Sequence, residues 1–206
     1  MLKLERRRVA PPTALSRYKH GRDNWEDVAP ADKQEVRQQL LEMQAYRCAY
    51  CEGSLCPSHH IEHFAPRGRF PDLTFDWTNL FLSCDSRDHC GHYKDRSGAQ
   101  PYSPQHLIKP DQENPDHYLR FYSSGEIHSR KDLSPAKETK AAETLRVLHL
   151  NSTDLKAKRR RTLKMYKQMF EGLDPAEWRA YIEQELQAAA NTPYFTIVRH
   201  FLEQPS

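Results

Sequence analysis

The segment HHIEHFAP, residues 59–66, holds three histidines and a glutamate within its first five positions. Glu62 and His63 are neighbours, so on an extended strand their side chains point to opposite sides. A glutamate can bind a hard divalent cation such as Mg²⁺ through oxygen. A histidine that stays off the metal can take a proton from water near neutral pH. The pair therefore predicts two separate roles, cation binding and proton transfer.

Four of the five cysteines fall into two spaced pairs. Cys48 and Cys51 place two thiolates on one tight turn, at a spacing that tetrahedral zinc uses repeatedly. Cys84 and Cys90 can supply the other two ligands from a later loop. Such a site would join the two ends of the intervening segment. Cys56 is expected to lie outside it.

Three alternatives to a zinc site of four cysteines fit the spacing unequally. A set of unrelated buried cysteines stays open. A redox dithiol requires a βαβ context, which the pattern does not contain. A two-histidine finger is rejected, because only seven residues separate Cys51 from His59, whereas such fingers use about twelve.

Further candidates follow the first histidine segment. Asn79 precedes an apolar run that leads into the second cysteine pair. The segment CGHYKD, residues 90–95, places His92, Lys94 and Asp95 just after the last cysteine. His59 and His60 are expected in the surroundings of the site or at the surface.

The elements before and around these motifs are readable from their periodicity. Residues 32–45 predict an amphipathic helix, with Asp32 and Glu35 as a capping box. Short extended segments are predicted around Ile61 and at 80–82, and a hairpin is predicted at 118–129, turning at Ser124–Gly125.

The remainder is predicted to be helical. One helix starts at Ser134–Pro135, and a basic one is capped by Ser152 or Thr153. A third opens at the capping box of Asp174 and Glu177. The last begins at Thr192–Pro193. Apolar faces are expected at the following positions: Leu163, Tyr166 and Phe170; Trp178, Ile182 and Leu186; Tyr194, Ile197, Phe201 and Leu202.

Composition limits the class of protein. The chain has 206 residues, of which 37% are hydrophobic, with a net charge of +3. A core with so little apolar material would gain from a bound metal, and the mild charge alone does not establish nucleic-acid binding. The sequence contains no apolar run of about 18 residues, so it predicts no membrane span. The first residues lack the apolar region of a secretory signal. We therefore expect a cytoplasmic protein, in which grouped cysteines more often bind metal.

The basic helix, residues 154–170, concentrates cations in the segment KAKRRR. Three roles stay open for it: contact with a phosphate backbone, docking of an acidic partner, or a solvated helix face. The first role assigns nucleic-acid contacts to Lys158, Arg159, Arg160 and Arg161.

The motifs CAYCE, HIEHFAP, FDWTNLFLSC and CGHYKDR, in this order, resemble the HNH endonucleases. More narrowly, they resemble the PtuB-type nucleases of Septu and retron anti-phage systems. The core motifs span residues 45–100, and a looser similarity extends to residue 151. The resemblance implies an α+β fold, mostly α overall, in which a zinc-stapled ββα-metal core is flanked by helices. The expected regions are an N-terminal arm and helix, the nuclease core, a hairpin and helix extension, and a C-terminal helical region: 1–45, 46–105, 106–151 and 152–206.

The resemblance also implies residue roles. His63 becomes the general base, and Asn79 orients it. Glu62 becomes a ligand of a catalytic Mg²⁺ or Mn²⁺, at a position where many HNH enzymes have aspartate. His92 is the candidate second ligand, and Lys94 is expected at the phosphate backbone.

The last motif, CGHYKDR, departs from the family pattern at the position of the last metal ligand. Many HNH enzymes place that ligand directly after a CxxC pair, with lysine three residues on. Here five residues separate the two cysteines, Gly91 follows, and His92 stands two residues before Lys94. Asp95 therefore remains an alternative to His92.

PtuB-type nucleases act with PtuA, an ATPase with ABC-like motor character. This chain has no GxxxxGK[ST] loop, so ATP dependence would come from another chain. The helices predicted at 175–190 and 193–203 are candidate partner surfaces, and a retron reverse transcriptase with its DNA product is equally compatible.

The expected function is metal-dependent cleavage of nucleic acid during phage defence, with DNA as the first expectation and tRNA or other RNA also compatible. The alternatives are a zinc-stapled module that binds nucleic acid without cutting it and, last, an interaction adaptor.

Overall fold

The computed structural model describes residues 1–171, 184 and 192–203. In this part of the chain, helices surround two small antiparallel sheets of two strands each. The expected mixture of α and β structure is confirmed at that level. The helices are Pro30–Met43 (α1), Cys90–Lys94 (α2), Pro135–Val147 (α3), Thr153–Phe170 (α4) and Phe195–Leu202 (α5). The strands are His59–His63 (β1), Leu80–Cys84 (β2), Leu119–Phe121 (β3) and Ile127–Ser129 (β4).

Helix α1 begins two residues earlier than predicted, with Pro30 at its first position. The predicted capping box is wrong, because both of its acids bind the N-terminal arm instead. Asp32 accepts hydrogen bonds from Arg17 at 2.8 Å and from the Tyr18 hydroxyl at 2.6 Å, and Glu35 accepts one from a backbone amide of the arm. The arm is thereby fixed against α1.

The predicted extended segments form the central sheet. Strands β1 and β2 pair antiparallel, with His59 opposite Cys84 and His63 opposite Leu80. Because side chains alternate along a strand, His60 and Glu62 share one face of β1. Strand β2 is buried through Leu80, Phe81 and Leu82, which are 0% exposed. The sheet therefore presents the histidine segment on a fully packed support.

The other edge of β2 holds the turn that carries the first cysteine pair. Gln44, at the end of α1, donates to the Leu82 carbonyl at 2.9 Å and accepts from the Leu82 amide at 2.7 Å. The Ala49 amide also donates to that carbonyl, at 3.1 Å. The Gln44 side chain thus occupies the edge of β2 that a third strand would otherwise cover. The turn held at this edge places Cys48 and Cys51 beside Cys84.

The second sheet confirms the predicted hairpin. Strands β3 and β4 pair with Phe121 opposite Ile127. Gly125 lies in the turn at φ +84°, and a side chain there would collide with the Lys156 carbonyl. Glycine is therefore required where α4 passes the turn.

The predicted helix starts near the end of the chain have different outcomes. Helix α3 begins at Pro135, and the Ser152 side chain caps α4 by accepting from the Leu155 amide at 3.3 Å, as predicted. Helix α5 begins later than predicted, because Tyr194 is left-handed at φ +59° and donates its amide to the Glu52 carbonyl at 3.1 Å.

The predicted helix that opens at Asp174, with Trp178, Ile182 and Leu186, lies outside the described residues, as does the Phe170 side chain. Within the described ranges no helix is both long and apolar enough to cross a membrane. The four regions expected from the sequence remain a prediction.

Candidate metal centres and catalytic site

The four predicted zinc ligands meet in one cluster. The sulfur atoms of Cys48, Cys51, Cys84 and Cys90 all lie within 4.8 Å of one another, and those of Cys51 and Cys84 are 3.9 Å apart. Four thiolates about 2.3 Å from a tetrahedral zinc ion are about 3.8 Å apart. The cluster therefore fits zinc. Cys56 is exposed and lies outside the cluster, as expected.

The first pair is presented by a tight turn. The Cys48 amide donates to the Gly53 carbonyl at 2.8 Å, and the Glu52 amide donates to the Cys48 carbonyl at 3.1 Å. The Gly53 amide points at the Cys51 sulfur, 3.4 Å away. A side chain at Gly53 would lie 2.8 Å from the Tyr194 hydroxyl. The turn therefore needs glycine, and the Gly53 amide can donate to the Cys51 sulfur.

The four thiols strongly shift one another's pKa values. Hydrogen bonds from the other three thiols hold the pKa of Cys84 well below its usual range, whereas burial raises the pKa of Cys90. Four thiols this close do not ionise together without a cation. A bound zinc ion would keep all four as thiolates. His89 is a neighbour of this cluster, with its Nδ1 3.1 Å from the Cys90 sulfur.

A second cluster of possible metal ligands lies on the same sheet. His60, Asp85 and His92 each offer one ligand atom, and these atoms lie within 4.8 Å of one another. Asp85 Oδ1 is 3.1 Å from His60 Nδ1 and 3.6 Å from His92 Nε2. The two imidazole rings stack with centroids 3.8 Å apart. Sequence reasoning found His92 but missed Asp85 and placed His60 outside the ligand set.

Glu62 lies behind this second cluster and is only 5% exposed. Its Oε1 pairs with Lys94 Nζ at 2.8 Å, and its Oε2 is 3.5 Å from His60 Nε2. Burial by itself raises the pKa of this carboxyl. Lys94 and His60 lower it by more than burial raises it, so the pKa is about 2. Glu62 is therefore ionised at neutral pH.

Lys94 is expected from the sequence to contact a phosphate backbone, but the side chain is buried. It is 1% exposed, and its ammonium also pairs with Asp95 at 2.7 Å and donates to the His63 carbonyl at 3.1 Å. Asp95 additionally accepts from the Tyr102 hydroxyl at 2.8 Å. A buried ammonium needs such polar partners. By pairing with them, Lys94 fixes the positions of two carboxylates and of the end of β1.

The predicted base, His63, is 7% exposed and has a defined tautomer. Its Nε2 lies 3.0 Å from the Thr74 carbonyl, which can only accept, so Nε2 carries the proton and Nδ1 is the acceptor. Burial lowers the pKa of His63 to about 4. Trp25 packs edge-on against the imidazole, with ring centroids 4.7 Å apart. His63 is therefore a fixed, neutral imidazole at neutral pH.

Asn79 fixes the chain directly after His63. Its Oδ1 accepts from the Ala65 amide at 2.8 Å, and its Nδ2 donates to the carbonyls of Ala65 at 3.0 Å and Leu73 at 3.1 Å. The Asn79 carbonyl also accepts from the Phe64 amide at 2.9 Å. These bonds tie the end of β1 to the loop that supplies the carbonyl partner of His63.

A large cavity opens over these residues, with a volume of about 1130 Å³. One side is formed by the sheet and α2, another by the N-terminal arm, and a third by a loop rich in arginine and aromatic residues. Representative lining residues are His60, Glu62, His63, His92 and Asp95, then Trp25 and Glu26, then Arg67, Arg69, Arg96 and Tyr102. Arg69 and Arg96 are exposed, so cationic groups border the cavity.

The basic helix α4 lies apart from this cavity, and one of its expected contacts is wrong. Arg159 is 0% exposed and donates to the carbonyls of Gly125 at 2.9 Å and Leu150 at 2.7 Å. A buried guanidinium that bonds two carbonyls does not face nucleic acid. Lys158, Arg160 and Arg161 are exposed, and Lys158 pairs with Asp154 at 2.7 Å.

The chain is similar to the Septu protein PtuB of Bacillus thuringiensis. The two are 29% identical over 122 residues, which are 58% of this chain and 42% of that protein. No family model matches the chain. The similarity supports the PtuB-like relation that the motifs predicted, across less than half of the relative's length.

Proposed function

We propose that this chain is a metal-dependent HNH-type endonuclease that hydrolyses phosphodiester bonds of nucleic acid. The observation that carries the proposal is the state of His63. Its Nε2 proton is committed to Thr74, its Nδ1 is an acceptor, and it lines a large cavity next to a cluster of nitrogen and oxygen ligands. Binding alone does not need a neutral histidine with a fixed tautomer.

The order of elements supports the same proposal. Strands β1 and β2 and the short helix α2 follow one another and carry the last three of the four motifs, an arrangement that we assign to a ββα-metal core. The cysteine cluster ties the turn before β1 to the end of β2 and the start of α2. Zinc bound there would have a structural role, because four thiolate ligands leave no coordination position for substrate.

In the proposed reaction, His63 Nδ1 takes the proton of the attacking water. Asn79 and the Thr74 carbonyl keep the imidazole in the required orientation. A divalent ion, if held by the nitrogen and oxygen ligands of the second cluster, would supply positive charge to stabilise the scissile phosphate and the leaving 3′ oxygen. His92 would be a ligand in this scheme, with Glu62 beside His60, whereas Asp95 pairs with Lys94 and Tyr102.

The relation to PtuB supports a role in anti-phage defence. By the same analogy we propose a PtuA-like ATPase as the partner, with a retron reverse transcriptase and its DNA product as the alternative context. DNA is the proposed substrate ahead of tRNA or other RNA, and the proposed location is the cytoplasm.

The experiment is cleavage of supercoiled plasmid and of total tRNA by zinc-loaded protein with Mg²⁺ or Mn²⁺. Each assay is run with and without a PtuA-like ATPase. His63→Ala is compared with His59→Ala, a matched change on the same strand, where His59 contacts the Leu55 carbonyl. We expect His63→Ala to lower the cleavage rate by about 10² to 10⁴-fold, and His59→Ala to retain it.

Equal cleavage by wild type and His63→Ala would refute the assignment of the base. If no preparation cuts any substrate while nucleic acid still binds, the zinc-stapled binding module replaces the nuclease.

A further inference from the structure

The ligand atoms of the second cluster converge on one point. His60 Nδ1 lies 3.1 Å and His92 Nε2 3.6 Å from Asp85 Oδ1, and all three atoms lie within 4.8 Å of one another. Two ligands each about 2.1 Å from one ion lie about 3 to 3.5 Å apart. The separation of His60 and Asp85 falls in this range and that of His92 and Asp85 is close to it, so small side-chain adjustments would let the three atoms share an ion.

The other nitrogen of His60 has a carboxylate partner. His60 Nε2 is 3.5 Å from Glu62 Oε2, while Glu62 Oε1 is held by Lys94 at 2.8 Å. Histidines that bind metal usually donate their second N–H to a carboxylate, which fixes the tautomer and the ring orientation. The series Lys94, Glu62 and His60 has this arrangement, with His60 Nδ1 left for the ion.

We propose that His60 Nδ1, Asp85 Oδ1 and His92 Nε2 bind one divalent transition-metal ion, and that Glu62 supports His60 from behind instead of binding the ion. This deepens the proposed function by naming the ligand set and the class of ion. The ion-binding claim itself can be measured without any cleavage.

The chemistry of the donors favours a transition metal over Mg²⁺. Two imidazoles and one carboxylate suit ions such as Mn²⁺, Co²⁺, Ni²⁺ or Zn²⁺, whereas Mg²⁺ prefers oxygen ligands and retains water. The side chains of His60, Asp85 and His92 are 23%, 39% and 44% exposed. Three protein ligands at an exposed site leave positions for water and a phosphate oxygen.

The backbone of α2 is adapted to this arrangement. A side chain at Gly91 would lie 2.5 Å from Glu62 Oε2 and 2.9 Å from His60 Nε2. Glycine at this position therefore lets α2 approach β1 closely enough for His92 to stack on His60.

The test is Mn²⁺ binding to zinc-loaded protein, measured by calorimetry and by electron paramagnetic resonance. Mn²⁺ is the right probe because it binds more weakly than Zn²⁺ in general and does not displace it from thiolates. Asp85→Asn is compared with Asp88→Asn, which removes the same charge from an exposed position in the same loop. Zinc content reports whether each variant keeps its fold.

We expect one Mn²⁺ per chain in the wild type and in Asp88→Asn. Asp85→Asn and His92→Gln should each lower the affinity by more than about 100-fold, because the loss of a supporting carboxylate alone costs about 10- to 100-fold. Glu62→Gln should fall in that smaller range, and a large excess of Mg²⁺ should displace little Mn²⁺.

Equal affinity in Asp85→Asn and Asp88→Asn would overturn the ligand set, as would the loss of binding in Glu62→Gln but not in Asp85→Asn. Failure of the nuclease proposal is seen separately: Mn²⁺ would still bind as described while His63→Ala cut as fast as the wild type.

Discussion

The two ligand clusters share their supporting elements but differ in almost every property. Strand β2 ends in Cys84, and the next residue, Asp85, belongs to the other cluster. Helix α2 begins with Cys90 in one cluster and places His92 in the other. The first cluster is sulfur and mostly buried, whereas the second is nitrogen and oxygen and half exposed.

The difference matches the proposed division between a structural zinc site and a catalytic metal site. Four thiolates fill the whole coordination shell of a tetrahedral zinc ion, so a zinc ion bound to them joins three segments of the chain. An open set of three ligands leaves room for a substrate at the edge of a cavity. Because Cys84 and Asp85 are sequence neighbours, the closed cluster fixes the position of the open one.

The largest expected effect follows from opening the closed cluster. Cys51→Ser should release zinc and lower the free energy of unfolding by at least about 4 kcal/mol, since loss of a structural metal is among the few changes of that size. Cys56→Ser, at the exposed cysteine, is the control and should change neither property. Zinc content and thermal unfolding measure both variants, and retained zinc in Cys51→Ser would contradict the structural role.

The next effect tests the support behind the open cluster. Lys94→Met leaves the buried carboxylate of Glu62 without its cation, so we expect a loss of about 3 to 5 kcal/mol. The partly exposed pair of Lys156 and Glu126, 3.5 Å apart, provides the control, and Lys156→Met should cost less than about 1 kcal/mol. Denaturant unfolding of zinc-loaded protein distinguishes the two, and equal stabilities would show that Lys94 is not needed.

A smaller effect should fall on the open cluster alone. Gly91→Ala pushes a methyl group against Glu62 and His60, so we expect Mn²⁺ affinity to fall by about 10- to 100-fold with zinc content unchanged. Gly68→Ala is the control, because a side chain there meets nothing within 4 Å. Loss of zinc together with Mn²⁺ would show that the clusters are not separable.

The smallest effect concerns Asp116, a carboxylate that belongs to neither cluster and serves as a reference for acid sensitivity. Burial by itself raises the pKa of Asp116. Its contacts with His200 and Arg199 lower it by more than burial raises it, so the pKa is about 2, below its usual 3.8. A depressed pKa stabilises the fold above about pH 4, and the contribution is lost as the pH falls toward 2.

Allowing for solvent screening, we expect the Asp116 contribution to be about 1 kcal/mol at neutral pH. The difference in unfolding free energy between wild type and Asp116→Asn should be constant from pH 7 to about 4 and shrink below that. A difference that instead closes above pH 5 would assign the acid response to another group.

The sequence alone determined the parts that depend on local spacing. A CxxC turn fixes the distance between its own thiols, and alternation along β1 separates Glu62 from His63. The start of α3, the Ser152 cap and the hairpin at Gly125 are local in the same sense. The motif order also predicted the relation to PtuB.

Only the tertiary structure decided which distant groups meet. His60 and Asp85 are 25 positions apart, and pairing of β1 with β2 brings them together. Lys94 and Arg159 look like surface cations in the sequence, but both are buried against carboxylates or carbonyls. Burial and partner identity are properties of the packed chain, because the same charged side chain is stable in water or inside wherever its partners are supplied.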